Sequence, residues 1–332
     1  MQPVILIFSI DSDISTTNVL KWCCFLDSDI KIIRLHPEDL YNAKIVCKDI
    51  CGPIHIITSN HSFSTHDVRV VWFRKWHLYP QFSDSICKSS SIRQESILNL
   101  RDEFFAFFEF LLYQLQQNNE VYWFNDYKHL RINKIQQLLT AKNVGLNIPK
   151  TYLETDIGSQ YIKERHITKH LSDCFSIHTS KHIYTSYTTR IENVSRNNFV
   201  SYIQNEIEKN IEIRVLFINE DCFALALFSQ EDPQTQIDYR NYNYNRPTRE
   251  ENFQLPKEIT NKITKLMKLL GLNMGVVDLI QQCDGEIVFL EVNPCGQYDN
   301  FNLCNIQPDR IIAKHLINKF YEYSEKNPSK DT

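Results

Sequence analysis

GVVDLIQQCDGEIVFLEVNPCGQYDN, residues 275–300, is the stretch on which the reading of this chain turns. Asp284-Gly285 is a strong two-residue hairpin signal, and it is flanked by the apolar runs 276–280 and 287–292. A turn closed there sets Cys283 against Glu286 and, counting outward, Asp278 against Glu291. Two carboxylates then share one rung, where like charges repel, so Glu291→Gln is expected to relieve strain in the metal-free protein. Glu291 and Asn293, two apart on one strand, point to the same face. Asp278, Glu291 and Asn293 thus converge as oxygen ligands suited to a hard cation. Mg²⁺ held by few carboxylates usually completes its octahedron with water and phosphates. The other reading of the same residues is a surface hairpin whose acids face water.

Composition bounds the answer. A chain of 332 residues with 42% apolar content can bury a substantial core. Its net charge of −4 argues against general nucleic-acid binding. The ten cysteines are scattered, with no C-x-x-C and no signal peptide ahead of them, so reduced thiols and a cytoplasmic setting are expected. The apolar run 4–10 is far too short to span a membrane. Of only seven glycines, four lie between Gly271 and Gly296, which excludes both the P-loop and the G-x-G-x-x-G fingerprint. A nucleotide would have to be held another way.

Along the chain, residues 4–10, 30–35 and 68–73 read as strands, with a helix over 17–26 between the first two; the alternation predicts an α/β lobe. The third strand runs into Trp72-Phe73-Arg74-Lys75-Trp76, whose cations could meet a carboxylate. Leu100, Phe104, Phe107, Phe108, Leu111 and Leu115 recur at helical spacing and predict a long amphipathic helix over 95–117. A second helix is stopped by Gly145 and followed by Pro149. Residues 162–187 read as strands with a turn. His166, His170, His178 and His182, with Cys174 among them, lack the spacing of a zinc finger, and no zinc is expected. Residues 256–270 read as an amphipathic helix between Pro256 and Gly271, 308–323 as a last helix and 324–332 as a polar tail.

EVNP at Glu291 to Pro294, with Asp278 on the preceding strand, resembles the metal-binding end of the ATP-grasp superfamily, where an Asp and a Glu-x-Asn hold two Mg²⁺ ions on ATP. FLEVNPCGQYD is similar to the ATP-grasp ligases that macrocyclise ribosomal peptides, the graspetide or microviridin-type ligases and their grasp-with-spasm relatives. The resemblance implies an ATP-grasp fold of the α/β (α+β) class: an N-terminal lobe over 1–125, a central lobe over 126–205 and a C-terminal lobe over 206–323 carrying the metal site. By position it makes Lys134 the first ATP-contacting lysine and Lys169 the second, which reaches the α/β-phosphates; Gln204 and Ile207 become the flanks of adenine, and Glu212 the acceptor from ribose. Arg214 and Arg240 become groups that stabilise the transferring phosphate, with Lys169 beside them. Arg240, in Asp238-Tyr239-Arg240 where the family has Asp-Trp-Arg, and Arg74, in a Trp-aromatic-Arg motif, become candidate contacts for the substrate.

The reaction so implied uses ATP and Mg²⁺ to activate Asp or Glu side chains of a ribosomal precursor peptide and to close esters or amides with Ser, Thr or Lys. A precursor with leader and core, a SPASM-domain partner protein and a homodimer are the implied partners. Where the family has a glycine-rich phosphate flap, residues 171–181 carry serines and no glycine. Taken singly, Lys134 also fits an exposed helical lysine, and Glu212 with Arg214 an ordinary surface pair. Two other functions stay open: a ligase joining a free amino acid to a peptide or protein terminus, and a non-catalytic nucleotide-binding module.

Overall fold

Five strand residues, Val4–Phe8, are all fully buried, as expected of a central parallel strand covered on both faces. A computed structural model, described over residues 2–76, 94–172, 176–178, 183–185 and 187–325, places this strand between Lys31–Leu35 and Val68–Phe73, with Tyr122–Phe124 at the far edge, all parallel. Val4, Leu6 and Phe8 share one apolar cluster with Phe108, Leu111 and Leu115 of the helix Gln94–Gln117, so the aromatic stripe is core. Helices Ile14–Leu26 and Pro308–Glu325 pack on each other, and the second also packs on the sheet. A small antiparallel sheet, Lys44–Val46, His55–Ile57 and Ser62–Ser64, adjoins.

Residues 1–127 and 307–332 form one compact unit, and 128–306 the other. The last helix, grouped with the C-terminal lobe by chain order, therefore belongs with the N-terminal sheet. Its buried stripe of Ile312, Ala313, Leu316 and Phe320 needs an apolar partner, and the helix Ile14–Leu26 and the parallel sheet provide it.

The second unit is built on two larger antiparallel sheets, beside the two-stranded pair Ser176–His178 and Ile183–Thr185. One runs in the order Thr189–Arg190, His166–Lys169, Ser201–Asn205, Thr151–Glu154. The other runs Glu250–Phe253, Asp221–Leu227, Lys209–Ile218, Met274–Gln282, Ile287–Asn293. Helix Lys257–Leu269 lays Ile263, Leu266 and Met267 on the second sheet and ends at Gly271, whose φ of +69° suits a residue without Cβ. Among the described residues no helix is long and apolar enough to cross a membrane.

Candidate functional site

The hairpin that opens the argument closes differently from its sequence signal. Gln282 N donates to Glu286 O and Gly285 N to Gln282 O, so the loop is the three residues Cys283, Asp284 and Gly285, the last at φ +89°. This shifts the inner rungs by one: Leu279 faces Phe289 and Ile280 faces Val288. A bulge then restores the count, because Leu290 is extra on its strand, and Asp278 faces Glu291 after all. The bulge also decides which way the ligands point. Ile287 and Phe289 face the core, and strict alternation would bury Glu291 with them. With the extra residue, Leu290 and Glu291 both line a cleft, Val292 returns to the core, and Asn293 Nδ2 donates to Asp278 Oδ2 at 3.0 Å.

Cations converge on the pair. Asn133 caps the helix Lys134–Asn143, accepting from Ile135 N at 2.8 Å, and Gln137 clamps that helix to the hairpin through both backbone groups of Val292, at 2.7 and 3.1 Å. Lys134, one turn away, is thereby held 3.2 Å from Glu291 Oε2. From the central sheet, Lys169 pairs with Tyr202 across the strands and sets its ammonium 5.6 Å from that ring's centre. Arg214, on the strand next to the hairpin, donates from Nε to Asp278 Oδ1 at 3.2 Å and from the guanidinium to Gln297 O at 3.1 Å.

The two carboxylates of the rung are driven apart electrostatically. Burial pushes Asp278 up to about 6, with Arg214 opposing and Glu291 adding to the rise. For Glu291 burial acts in the same upward sense, but Lys169, Lys134 and Arg240 together outweigh it and hold the group below the ordinary range. Lys169 is itself lowered, by burial first and by Lys134 and Arg240 against the pull of Glu291. Relief of strain, expected from Glu291→Gln, therefore belongs to Asp278, because Glu291 already has its countercharges.

The cleft runs on from this end between the two sheets of the second unit. Lys169, Gln204, Ile207, Glu212, Arg240, Asp278 and Glu291 all line it. Gln204 is fully buried, its Nε2 donating to Thr151 Oγ1 at 3.0 Å and to the Tyr202 hydroxyl at 2.9 Å. Glu212 Oε1 accepts from Lys209 Nζ at 2.8 Å and from Ser229 Oγ at 2.7 Å. Arg240 grips Asp238 through Nε and a terminal nitrogen, at 2.8 and 2.6 Å, while Asp238 also accepts from Thr188 N at 3.0 Å. Burial raises Asp238, yet these bonds and the Arg240 charge bring it below the ordinary range.

Asp278, Glu291 and Asn293 offer oxygen donors only. Among the described residues no group of three or more His, Cys, Asp or Glu side chains is placed to hold a metal. Two carboxylates and an amide fall short of a dedicated protein cage but fit Mg²⁺ that takes its remaining ligands from phosphate and water. Gln137 and Lys209 were not singled out by sequence. Gln137 sits inside an ordinary helical pattern, and Lys209 gains meaning only when its strand brings it onto Glu212.

Arg74 belongs to the first unit. It is 1% exposed, and its Nε donates to Asp13 Oδ2 at 2.9 Å; Lys75 Nζ reaches Asp13 Oδ1 at 3.3 Å. A carboxylate that these cations meet is thus the chain's own, Asp13, at the start of the helix that follows the neighbouring parallel strand. Burial raises Asp13, but Arg74, Thr16 and Lys75 together hold it below the ordinary range. Buried His166 meets Tyr161 O at 3.2 Å through Nδ1, against the rings of Tyr152 and Tyr161. Cys174, His182 and most of the segment 171–181 lie outside the described residues, as does the side chain of His178 and the tail beyond 325.

No protein-family model matches this sequence, and neither does any curated protein. Solved structures do match its fold. The macrocyclase MdnC bound with precursor peptide MdnA, from Microcystis aeruginosa MRC, superposes with a TM-score of 0.76 at 20% identity, covering 95% of this chain and 99% of that one. A RiPP-associated ATP-grasp ligase from Chryseobacterium gregarium, in complex with ADP and a leader and core peptide, gives 0.78 at 19% identity, covering 100% and 99%. The ATP-grasp ligase PsnB, complexed with minimal precursor, Mg and ADP, gives 0.72 at 14% identity, covering 96% and 97%. The chain therefore has the fold of ATP-grasp ligases over its whole length.

Proposed function

We propose that this chain is an ATP-dependent peptide ligase that activates Asp or Glu side chains of a ribosomal precursor peptide and closes them onto Ser, Thr or Lys. The observation that carries the reading is the meeting, around the Asp278–Glu291 rung at the end of the cleft, of Asn293 with Lys134, Lys169, Arg214 and Arg240. The fold supports it, since structures of the same architecture hold ADP, Mg and precursor peptides.

In this reading Gln204 and Ile207 flank adenine, and Glu212 accepts from ribose with Lys209 holding its other side. Lys134 and Lys169 serve as point charges on the phosphates. Asp278, Glu291 and Asn293 would hold Mg²⁺, which supplies charge neutralisation across the phosphates when bound. A substrate carboxylate attacks the γ-phosphorus, forming an acyl-phosphate and releasing ADP; Arg214 and Arg240 stabilise the charge that develops. A hydroxyl or amine of the same peptide then attacks the acyl carbon, loses its proton and expels phosphate. Since phosphate leaves readily, holding the nucleophile close is the main remaining task. A cytoplasmic setting, a SPASM-domain partner and a homodimer belong to the same reading through the sequence resemblance.

The test is to incubate the protein with its precursor, ATP and Mg²⁺. The peptide should lose about 18 Da per ring, with one ADP released each time, as condensation through an acyl-phosphate requires. ADP formed only when a free amino acid is supplied, with a gain in product mass, would overturn it.

A further inference from the structure

Where the resembled family carries Trp, this chain carries Tyr239, and the exchange places a phenol in the middle of the charged cluster. The backbone on both sides of Tyr239 is pinned. Lys209 Nζ donates to Ile237 O at 3.1 Å, and Asp238 accepts from Thr188 N at 3.0 Å and from Arg240 N at 3.1 Å. Held this way, the ring lies 5.5 Å from the Arg214 guanidinium carbon, a cation-π contact that any aromatic could make. The hydroxyl is what Trp could not supply in the same place. It is engaged in no hydrogen bond among the described residues and is not sealed off as a buried orphan, so its open direction is the cleft that Tyr239 lines.

The charges around the phenol tell which ligand it meets. Its ring lies against Arg214, which donates to Asp278 at 3.2 Å, so it stands at the end of the cleft where the carboxylate pair lies. Burial keeps it protonated throughout the working range, so it can donate a hydrogen bond and does not serve as a base. We infer that the Tyr239 hydroxyl donates to an oxygen of the transferring γ-phosphoryl group, beside the Arg214 that its ring holds in place. The inference rests on the proposed function, and it assigns Tyr239 a contact absent from the ADP-bound state, because ADP lacks that phosphoryl group. No bond to the phenol forms or breaks. Its contribution is a fixed donor aimed where charge gathers.

Calorimetric titration of the full-length protein with Mg²⁺-ADP and with the Mg²⁺ complex of the β,γ-imido analogue of ATP tests this. Tyr239→Phe keeps the ring and the Arg214 contact. It should bind the analogue roughly tenfold more weakly, as expected for one hydrogen bond to a charged acceptor, and ADP within about twofold of wild type. Equal losses for both nucleotides would make the hydroxyl structural and overturn the inference. So would unchanged analogue affinity, which would leave the phenol to the incoming carboxylate or to water. Wild-type protein that binds neither nucleotide would sink the proposed function and this inference with it, an outcome distinct from failure of the variant alone.

Discussion

Asp278→Asn should stabilise the protein in chelator-containing buffer, and Glu291→Gln should destabilise it, although the two carboxylates share one rung. An acid whose folded value is raised binds its proton more tightly folded than unfolded. Folded stability therefore falls as pH climbs from the ordinary aspartate range to the folded value, and stays lowered above it. For Asp278 that window runs from 3.8 to about 6. At about 1.36 kcal/mol per tenfold it amounts to roughly 3 kcal/mol. The Asp278 side chain is 16% exposed, so little of this is lost to solvent screening. Asparagine keeps the shape and carries no charge to desolvate. Glu291 obeys the opposite sign: its stabilising contribution is present above the ordinary glutamate value and disappears as pH falls through its lowered folded value. Glutamine leaves Lys134 and Lys169 without their countercharge. Urea unfolding of both variants and wild type at about pH 7.5 and about pH 3.5 reads the two effects, which should separate the variants at the higher pH and shrink at the lower. If Asp278→Asn is destabilised at the higher pH as much as Glu291→Gln, burial does not dominate at Asp278 and the reasoning fails.

Lys169→Ala should weaken ATP binding by roughly tenfold or more, the loss of one charge-assisted contact, whereas His166→Ala should lower the melting temperature with little change in ATP affinity. Calorimetry beside thermal unfolding separates the two, and equal ATP losses would remove Lys169 from the phosphate contacts. Asp13→Asn should lower the melting temperature by taking away the buried carboxylate that Arg74 Nε and Lys75 Nζ meet, while ADP affinity stays within twofold. That loss should grow as pH rises above the lowered value of Asp13 and fade in acid; a variant as stable as wild type at neutral pH would show that the pair is not the anchor it looks to be.

Much of this was legible in sequence because the signals were local. The buried run of Val4–Phe8, the stripe of Phe104, Phe108, Leu111 and Leu115, and the Pro256-to-Gly271 helix each carry their period and punctuation within themselves. What escaped was non-local. Nothing near Arg74 in the chain announces Asp13, since the two meet only because their strands run parallel and adjacent. Nothing in the last helix says that it returns to the first sheet. Gln137 looks like any polar helical residue until its amide closes on Val292.

The rung itself shows how a register can be right for an incomplete reason. Counting outward from a two-residue Asp-Gly turn gives Asp278 opposite Glu291, and the structure has that pair. It gets there through a loop one residue longer and a bulge one residue later, and the two displacements cancel. The sequence carries the trace of the second, because Ile287, Phe289 and Glu291 cannot all face one way when two of them are core. An acid at the third position of an alternating apolar set calls for a break in the alternation before it. Leu290 is that break, and the same step that turns Glu291 and Asn293 toward Asp278 puts a leucine on the cleft wall beside them. The ligand face and the apolar lining of the cleft thus arise from one extra residue, so a substitution that straightens this strand would disturb both together.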